Sequence, residues 1–561
     1  MRKFRSLVML SALLLTLFLL PLNSVPLPAA QVASGVTLGE AVFRLATPGD
    51  SSAAAPQLSP QEVEALQERI WQLRERIAAS SGSAPAGPAG VPPTGPELQL
   101  GNLAAQVHGV ESAFVFGRSF ENVIADNAGN SALAEPAGAG NARDVFMAGN
   151  FAHAERSING GLTWTSIVLP AGPSDAPILC CDHDVMKDDA RRLWIHSYLY
   201  INSTASNGVV RLDIRRNFSA VPACSYFLDP AGTANNILPD YPHIGLTDKN
   251  LWIATNEIVG GTTQRARMYR VDLGEIFDCV PTPTQTFFQW PFTTEGQKVW
   301  VPAEGANIRT YMVWSHGVSS TVDRWFLWTD TAAAPVNSTL SVPASTYATT
   351  SANADCRGGT NNADFWGFLN SSIHGFQRRN VIADNKVGTY YGVDPDAAHT
   401  QGHIHGYLRR VLASIGTGAP TLSTLIASTA LANSTACVGF PHVTANKKGH
   451  LGFAVAFGGR AGGGGSAVTP AAGIADDFTS LTNPLVVFFY PGIASTHNPT
   501  RYGDYFNIHP DEPCEKWFES TGFGFEGGTT VTNLDSRWVE WGRNRYQRCW
   551  ADFRTLRPLS E

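Results

Sequence analysis

Past residue 97, apolar and polar positions alternate over short stretches and keep no long helical period, which is the pattern of short strands joined by turns. Typical units are the apolar runs Leu193-Trp194-Ile195 and Leu251-Trp252-Ile253-Ala254, the second reached through the polar turn Thr247-Asp248-Lys249-Asn250. One segment breaks the rule. Val63, Leu66, Ile70, Leu73 and Ile77 fall at alternating spacings of three and four, an apolar seam through about two heptads. Ser59-Pro60-Gln61-Glu62 precedes it in capping-box form, with Pro at the first helical position. The spacing predicts an amphipathic helix over 59–79, able to pair with copies of itself as a short coiled coil or to pack on its own domain.

The strand pattern carries a degenerate repeat. Asp182-His183-Asp184-Val185 is followed, twelve residues after Asp182, by Trp194; Asp240-Tyr241-Pro242-His243-Ile244 is followed, twelve after Asp240, by Trp252. Arg501-Tyr502-Gly503-Asp504-Tyr505 leads in the same way to Trp517-Phe518, and Phe440-Pro441-His442-Val443 leads to Leu451-Gly452-Phe453-Ala454 without the acid. The period fits about seven units between 97 and 561, so the fold class predicted is all-β, a β-propeller of seven blades, with six or eight also fitting. A β-sandwich array is the main rival. Radial closure has the merit of leaving few exposed strand edges.

A second signal is the octapeptide Ser157-Ile158-Asn159-Gly160-Gly161-Leu162-Thr163-Trp164. Its pattern Ser-x-Asn-x-Gly-x-Thr-Trp resembles the Asp-box (BNR repeat) of sialidase-like β-propellers, with Asn159 where that motif usually carries Asp. The residues suit a turn: a short amide side chain bonds the backbone, Gly accepts positive φ, and Trp anchors the turn to a blade. The resemblance covers these eight residues and implies architecture, not a catalytic centre. No Arg-Ile-Pro tripeptide and no assignable set of three arginines accompanies it, which points to the wider superfamily of hydrolases, lyases and binding modules.

Composition narrows the function classes. Charged residues are 16% of the 561, the net charge is -7, and no basic run is present, so nucleic acid is not an expected partner. Residues 1–30 carry Arg2, Lys3 and Arg5 ahead of an apolar run from Leu7 to Leu20 and then small residues, the layout of a secretory signal peptide. The run is short for a membrane span, so export to the extracellular space or periplasm, with no stable span after signal removal, is expected. The domain order predicted is signal 1–30, linker 31–58, helix 59–79, Pro/Ala/Gly linker 80–96 and propeller 97–561. Eight cysteines and no Cys-x-x-Cys favour disulfides over a structural zinc site. Cys224 with Cys279 and Cys514 with Cys549 are the local pairs; adjacent Cys180 and Cys181 need separate partners or a small ring.

Innermost propeller strands converge on a central channel. If the repeated units are such strands, Asp182, Asp240 and Asp504 gather at one funnel with His183, Tyr241, His243, His442, Arg501, Tyr502 and Tyr505. Carboxylates, imidazoles, an Arg and aromatic rings together suit a carbohydrate or cell-surface glycan. Paired carboxyls there would serve glycoside hydrolysis, with Glu257, Glu304 and Glu519 in reserve and lyase chemistry as a lesser option. The alternative is a non-catalytic carbohydrate- or protein-binding scaffold whose acids only brace the blades. No cofactor is required by either reading and no metal ligands are assigned. Asp182-His183-Asp184 with Asp188 and Asp189 has the composition of a calcium loop, and His399, His403 and His405 offer imidazoles at strand spacing for a metal or a base.

Overall fold

A computed structural model describes most of residues 135–289, 300–341, 356–412, 421–488 and 506–546, the strand 114–121 and a few short stretches before it. The signal segment 1–30, the linker 80–96, and Cys514 and Cys549 lie outside the described residues. Among the described residues no helix is long and apolar enough to cross a membrane.

The chain is an all-β propeller. Among the described residues, seven antiparallel sheets each run through four strands from inside to outside, and two of them gain a short outer strand from residues 31–45. The innermost strands are β1 (Ala137–Gly140), β2 (Ile178–Asp188), β3 (Ile237–Leu246), β4 (Val301–Pro302), β5 (Ile373–Arg378), β6 (Cys437–Ala445) and β7 (Asn507–Asp511). Each packs against the next, and β7 packs back on β1, so the ring is closed. Six sheets follow the chain. The seventh takes Asn507–Asp511, Trp517–Phe525 and Leu534–Arg543 from the C-terminal end and its outermost strand, Phe114–Glu121, from the N-terminal side, with Glu121 opposite Arg537.

Packing between sheets explains why many strands are apolar on both parities. The strand Leu193–Ile201 is buried at every position, because neighbouring blades cover both of its faces. Trp194, Trp252 and Trp517, which mark the sequence repeat, are all buried core residues. The core between the second and third blades also takes in Phe43, Leu66 and, partly, Leu58 from the N-terminal segment. In that segment Ser59 N donates to the Glu62 carboxylate at 2.7 Å and Glu62 N to Ser59 Oγ at 3.4 Å, the reciprocal bonds of a capping box. Arg69 donates to the Ser203 carbonyl at 2.7 Å, so this end of the predicted helix lies on the propeller wall.

Three disulfides occur among the described residues. Cys224–Cys279 joins the second blade to the turn after a short helix, α1 (Leu273–Phe277), as the local spacing predicts. Cys180 and Cys181 bond each other, the small-ring option, and Cys356–Cys437 ties a peripheral strand to the start of β6. The octapeptide 157–164 forms a self-bonded turn between the third and fourth strands of the first blade. Asn159 Oδ1 accepts from Thr163 N at 2.9 Å, Ser157 Oγ accepts from Gly161 N at 2.8 Å, and Gly160 and Gly161 take φ of 69° and 87°. Trp164 packs beside Val145, Met147 and Trp538.

Candidate functional site at the propeller hub

The sequence repeat is a repeated β-bulge. Register shifts lie between Cys181 and Asp184 in β2, Asp240 and His243 in β3, and Gly439 and His442 in β6. At each bulge one residue takes positive φ: Asp182 at 56°, Tyr241 at 56° and Phe440 at 50°. An Asp tolerates this region, whereas a Tyr or Phe there costs about 1 kcal/mol or more, so the surrounding structure must hold it. The bulges also set the alignment. Asp182 corresponds to Tyr241 and Phe440, while Asp184 corresponds to His243 and His442. The acids Asp182 and Asp240 are therefore offset by one residue, although each precedes its Trp by the same interval.

Side chains of one blade clasp the bulge backbone of the next. Asn150, held by a 3.0 Å bond to Glu135, accepts from Asp182 N at 3.0 Å; the Asp182 carboxylate accepts from Tyr241 N at 3.2 Å. Asp184 accepts from Ile244 N at 2.9 Å with one oxygen and from Asn507 Nδ2 at 3.1 Å with the other. Asn507 in turn accepts from Gly138 N at 3.4 Å, and His442 Nδ1 bonds the Phe506 carbonyl. These bonds link the sixth blade to the seventh, the seventh to the first and second, the first to the second and the second to the third. The result is a belt along the hub from the sixth blade through the seventh, first and second to the third, made from buried side chains.

The candidate residues divide on this geometry. Asp182, Asp240, Tyr241, His243 and His442 are all buried at β2, β3 and β6, and His243 Nδ1 lies 3.8 Å from Asp184. The Tyr241 and His243 rings meet edge to face at 4.3 Å. His183 turns into its own blade, where Nδ1 is 2.9 Å from His196 Nε2 and the ring stacks on Tyr198. Arg501, Tyr502, Asp504, Tyr505 and the reserve Glu304 lie outside the described residues. Glu257 is buried against Arg265 at 2.6 Å and Arg267 at 3.2 Å, with Tyr269 donating at 2.8 Å. Asp182 and Asp184 stand within a strand, and Asp188 is bonded to Arg191 at 2.6 Å.

Glu519 is the reserve carboxyl with the most unusual setting. It is fully buried, 3.0 Å from Lys187 Nζ, and accepts from Gly140 N at 2.8 Å. Burial pushes its pKa up, against the pull of Lys187. His509, one strand over, donates from Nε2 to the Val185 carbonyl at 2.8 Å, and burial with Lys187 nearby brings its pKa down to about 4. Residue type alone does not single out Asn150, Asn507 or Lys187, and it offers Asp184 only as part of a calcium-like run. Asn507 did carry a signal: Asp504-Tyr505-Phe506-Asn507-Ile508 repeats Asp240-Tyr241-Pro242-His243-Ile244 with Asn at the His position.

The belt makes a direct prediction. Asp184→Ala strands two buried donors, Ile244 N and Asn507 Nδ2, and is expected to cost about 2 kcal/mol in a denaturant titration. Asp184→Asn keeps one acceptor oxygen and should cost clearly less. Equal losses in the two variants would show that the carboxylate bonds do not hold the bulge.

Among the described residues, two groups bring three potential metal ligands within 4.8 Å of one another: His399, His403 and His405, and His450, Asp476 and Asp477. In the second group the acids are already engaged, Asp476 by Arg543 at 2.7 Å and Asp477 by Arg545.

No family model matches the chain, and no curated protein matches it. Among solved structures it is similar to an alpha-L-arabinanase of Penicillium chrysogenum, at 8% identity and a TM-score of 0.35 over 73% of this chain and 93% of that one. It is similar also to the Dos1 propeller, at 9% identity and 0.37 over 77% and 97%, and to a Trypanosoma rangeli sialidase, at 10% and 0.31 over 58% and 53%. At such identities and scores these likenesses say nothing about what this chain binds or cleaves.

Proposed function

We propose that this chain is an exported propeller that binds extracellular carbohydrate on the mouth shaped by its hub bulges, with Asp182 and Asp184 bracing the blades and taking no part in cleavage. The observation that carries the non-catalytic part is the commitment of the hub carboxylates. Asp182 and Asp184 are buried and accept N–H donors of the adjacent strand at 3.2 and 2.9 Å, so they are spent on holding β2 to β3. A general acid or base needs a carboxyl within hydrogen-bond reach of a substrate proton, and a retaining or inverting pair needs two of them facing across one bond. The carbohydrate reading rests on the sequence, where Arg501, Tyr502 and Tyr505 of the repeat supply a guanidinium and aromatic faces suited to a sugar; Tyr241, His243 and His442 are buried and serve the fold. Export is supported by the layout of residues 1–30 and by the disulfides, which persist in oxidising compartments.

The test uses the full chain lacking only its signal. Expected is saturable binding to some members of a glycan and polysaccharide panel, without product release from those glycans or from aryl glycosides. Turnover that Asp240→Asn or Asp504→Asn abolishes would overturn the non-catalytic reading; absence of binding to any member would overturn the carbohydrate reading.

A further inference from the structure

We propose a transition-metal site of the zinc class at His399, His403 and His405, away from the hub. His403 and His405 open the strand His403–Leu412, the third of the fifth blade, where the two-residue repeat puts both imidazoles on one face. His399 comes from the segment just before that strand. Both strand imidazoles are fully buried, and His399 is half-buried. The His403 and His405 Nε2 atoms are 2.9 Å apart, and one ligand nitrogen from each of the three rings lies within 4.8 Å of the others. The His399 ring is 4.3 Å from that of His403, centroid to centroid.

Three features favour a metal over a hydrogen-bonded histidine cluster. First, the His403 Nδ1 proton is directed to the Gln401 carbonyl at 3.1 Å, which leaves the Nε2 lone pair turned toward the other two rings. A carbonyl holding the far nitrogen is the usual outer partner of a ligating histidine. Second, the segment is pinned before any ion arrives. Gln401 Oε1 accepts from Ala461 N at 2.7 Å, on the short strand Arg460–Ala461 that pairs with Cys356–Gly358, and the Gly402 carbonyl accepts from Val438 N at 2.9 Å, on β6 of the sixth blade. Third, the nitrogen separations suit the ion. Two ligands at about 2.0–2.1 Å from tetrahedral zinc stand roughly 3.3 Å apart, so the His403–His405 pair need open only a few tenths of an ångström from its 2.9 Å hydrogen-bond contact to admit the ion.

The donor set also selects the ion. The group contains imidazoles and no carboxylate, which disfavours calcium and magnesium and suits zinc or its neighbours cobalt, nickel and copper. Three protein ligands leave a fourth position, on the side of half-buried His399, for water or an external group.

The experiment takes the full chain, strips it with a chelator, adds one equivalent of Zn2+, passes it through gel filtration and measures bound zinc by elemental analysis. Co2+ is added in parallel for its visible spectrum. One retained equivalent and the absorption bands of a four-coordinate nitrogen site are expected. Outer partners of such sites are worth about 10–100-fold in affinity, so His399→Ala, which loses a ligand outside the strand, is expected to weaken zinc at least ~10-fold in competition with a chromophoric chelator. The double variant His403→Gln/His405→Gln should retain none, and His450→Ala should bind as the parent does. No retention by the parent, equal retention by His399→Ala, or a loss that follows His450→Ala would each overturn the site; His399→Ala decides if the double variant fails to fold.

Discussion

Asp213→Ala is expected to cost about 3–5 kcal/mol, enough to prevent the protein from accumulating in folded form at 37 °C. The carboxylate is fully buried in the second blade. Arg211 Nε donates to it at 2.8 Å, Arg215 Nη2 at 2.8 Å, Ser225 Oγ at 2.6 Å and Tyr198 OH at 3.1 Å. Burial would raise the pKa of this acid, but Arg211 and Arg215 hold it below the ordinary carboxylate value. Both guanidiniums are themselves buried and lie over aromatic faces, Arg215 on Phe146 at 5.1 Å and Arg211 on Phe227 at 5.5 Å. Removing the anion leaves two cations inside one blade with no countercharge. The check is a denaturant titration of protein produced at lower temperature, beside Asp213→Asn, which keeps the volume and one acceptor. A loss below about 1 kcal/mol for Asp213→Ala would show that solvent or another group compensates the guanidiniums.

Acid should weaken the fold through His509. Its pKa falls from an ordinary 6.5 to about 4, chiefly from burial and then from Lys187, with Asp184 pulling the other way. A depressed folded value means the unfolded chain takes up the proton first. The stability contribution is therefore intact above pH 6.5 and is lost progressively as pH falls toward 4. A displacement of this size corresponds to about 3 kcal/mol across that window. His196, held neutral by burial and by His183, adds to the same trend. Glu519, whose pKa is raised, has the opposite sign: it loses stability as pH rises. Denaturant midpoints measured from pH 7.5 to 4 should decline below about 6.5, and His509→Gln should decline less steeply. Parallel curves for the two proteins would remove His509 as the cause.

Much of the architecture was legible in the residues because it follows from local rules. The Trp194 and Trp252 units announce strands, the octapeptide announces its own turn, Ser59 and Glu62 announce a cap, and the short separation of Cys224 from Cys279 favours their pairing. What was hidden depends on neighbours in space. The one-residue offset between Asp182 and Asp240 arises because the bulge residue stands twelve positions before the Trp in β2 (Asp182 to Trp194) and eleven in β3 (Tyr241 to Trp252). The Cys356–Cys437 bond joins segments 81 residues apart that meet where the strand Cys356–Gly358 pairs with Arg460–Ala461. The hub showed the same limit. Acid and imidazole types mark residues on the innermost strands β2 and β3, but whether a carboxylate faces solvent or a backbone N–H is decided by the adjacent blade. Sequence reasoning reached the His399, His403 and His405 trio on strand spacing alone; the folded chain added His399's approach and the carbonyl behind His403.

The strand Phe114–Glu121 pairs with Leu534–Arg543, so a strand made early in synthesis is bonded to one made near its end. A ribosome delivers these partners at opposite ends of its work. Until residue 543 has emerged, the early strand has no edge to join and the finished blades have no ring to close. During synthesis the chain is therefore an open string of sheets, and the final joint is sealed only when nearly all of it has been made.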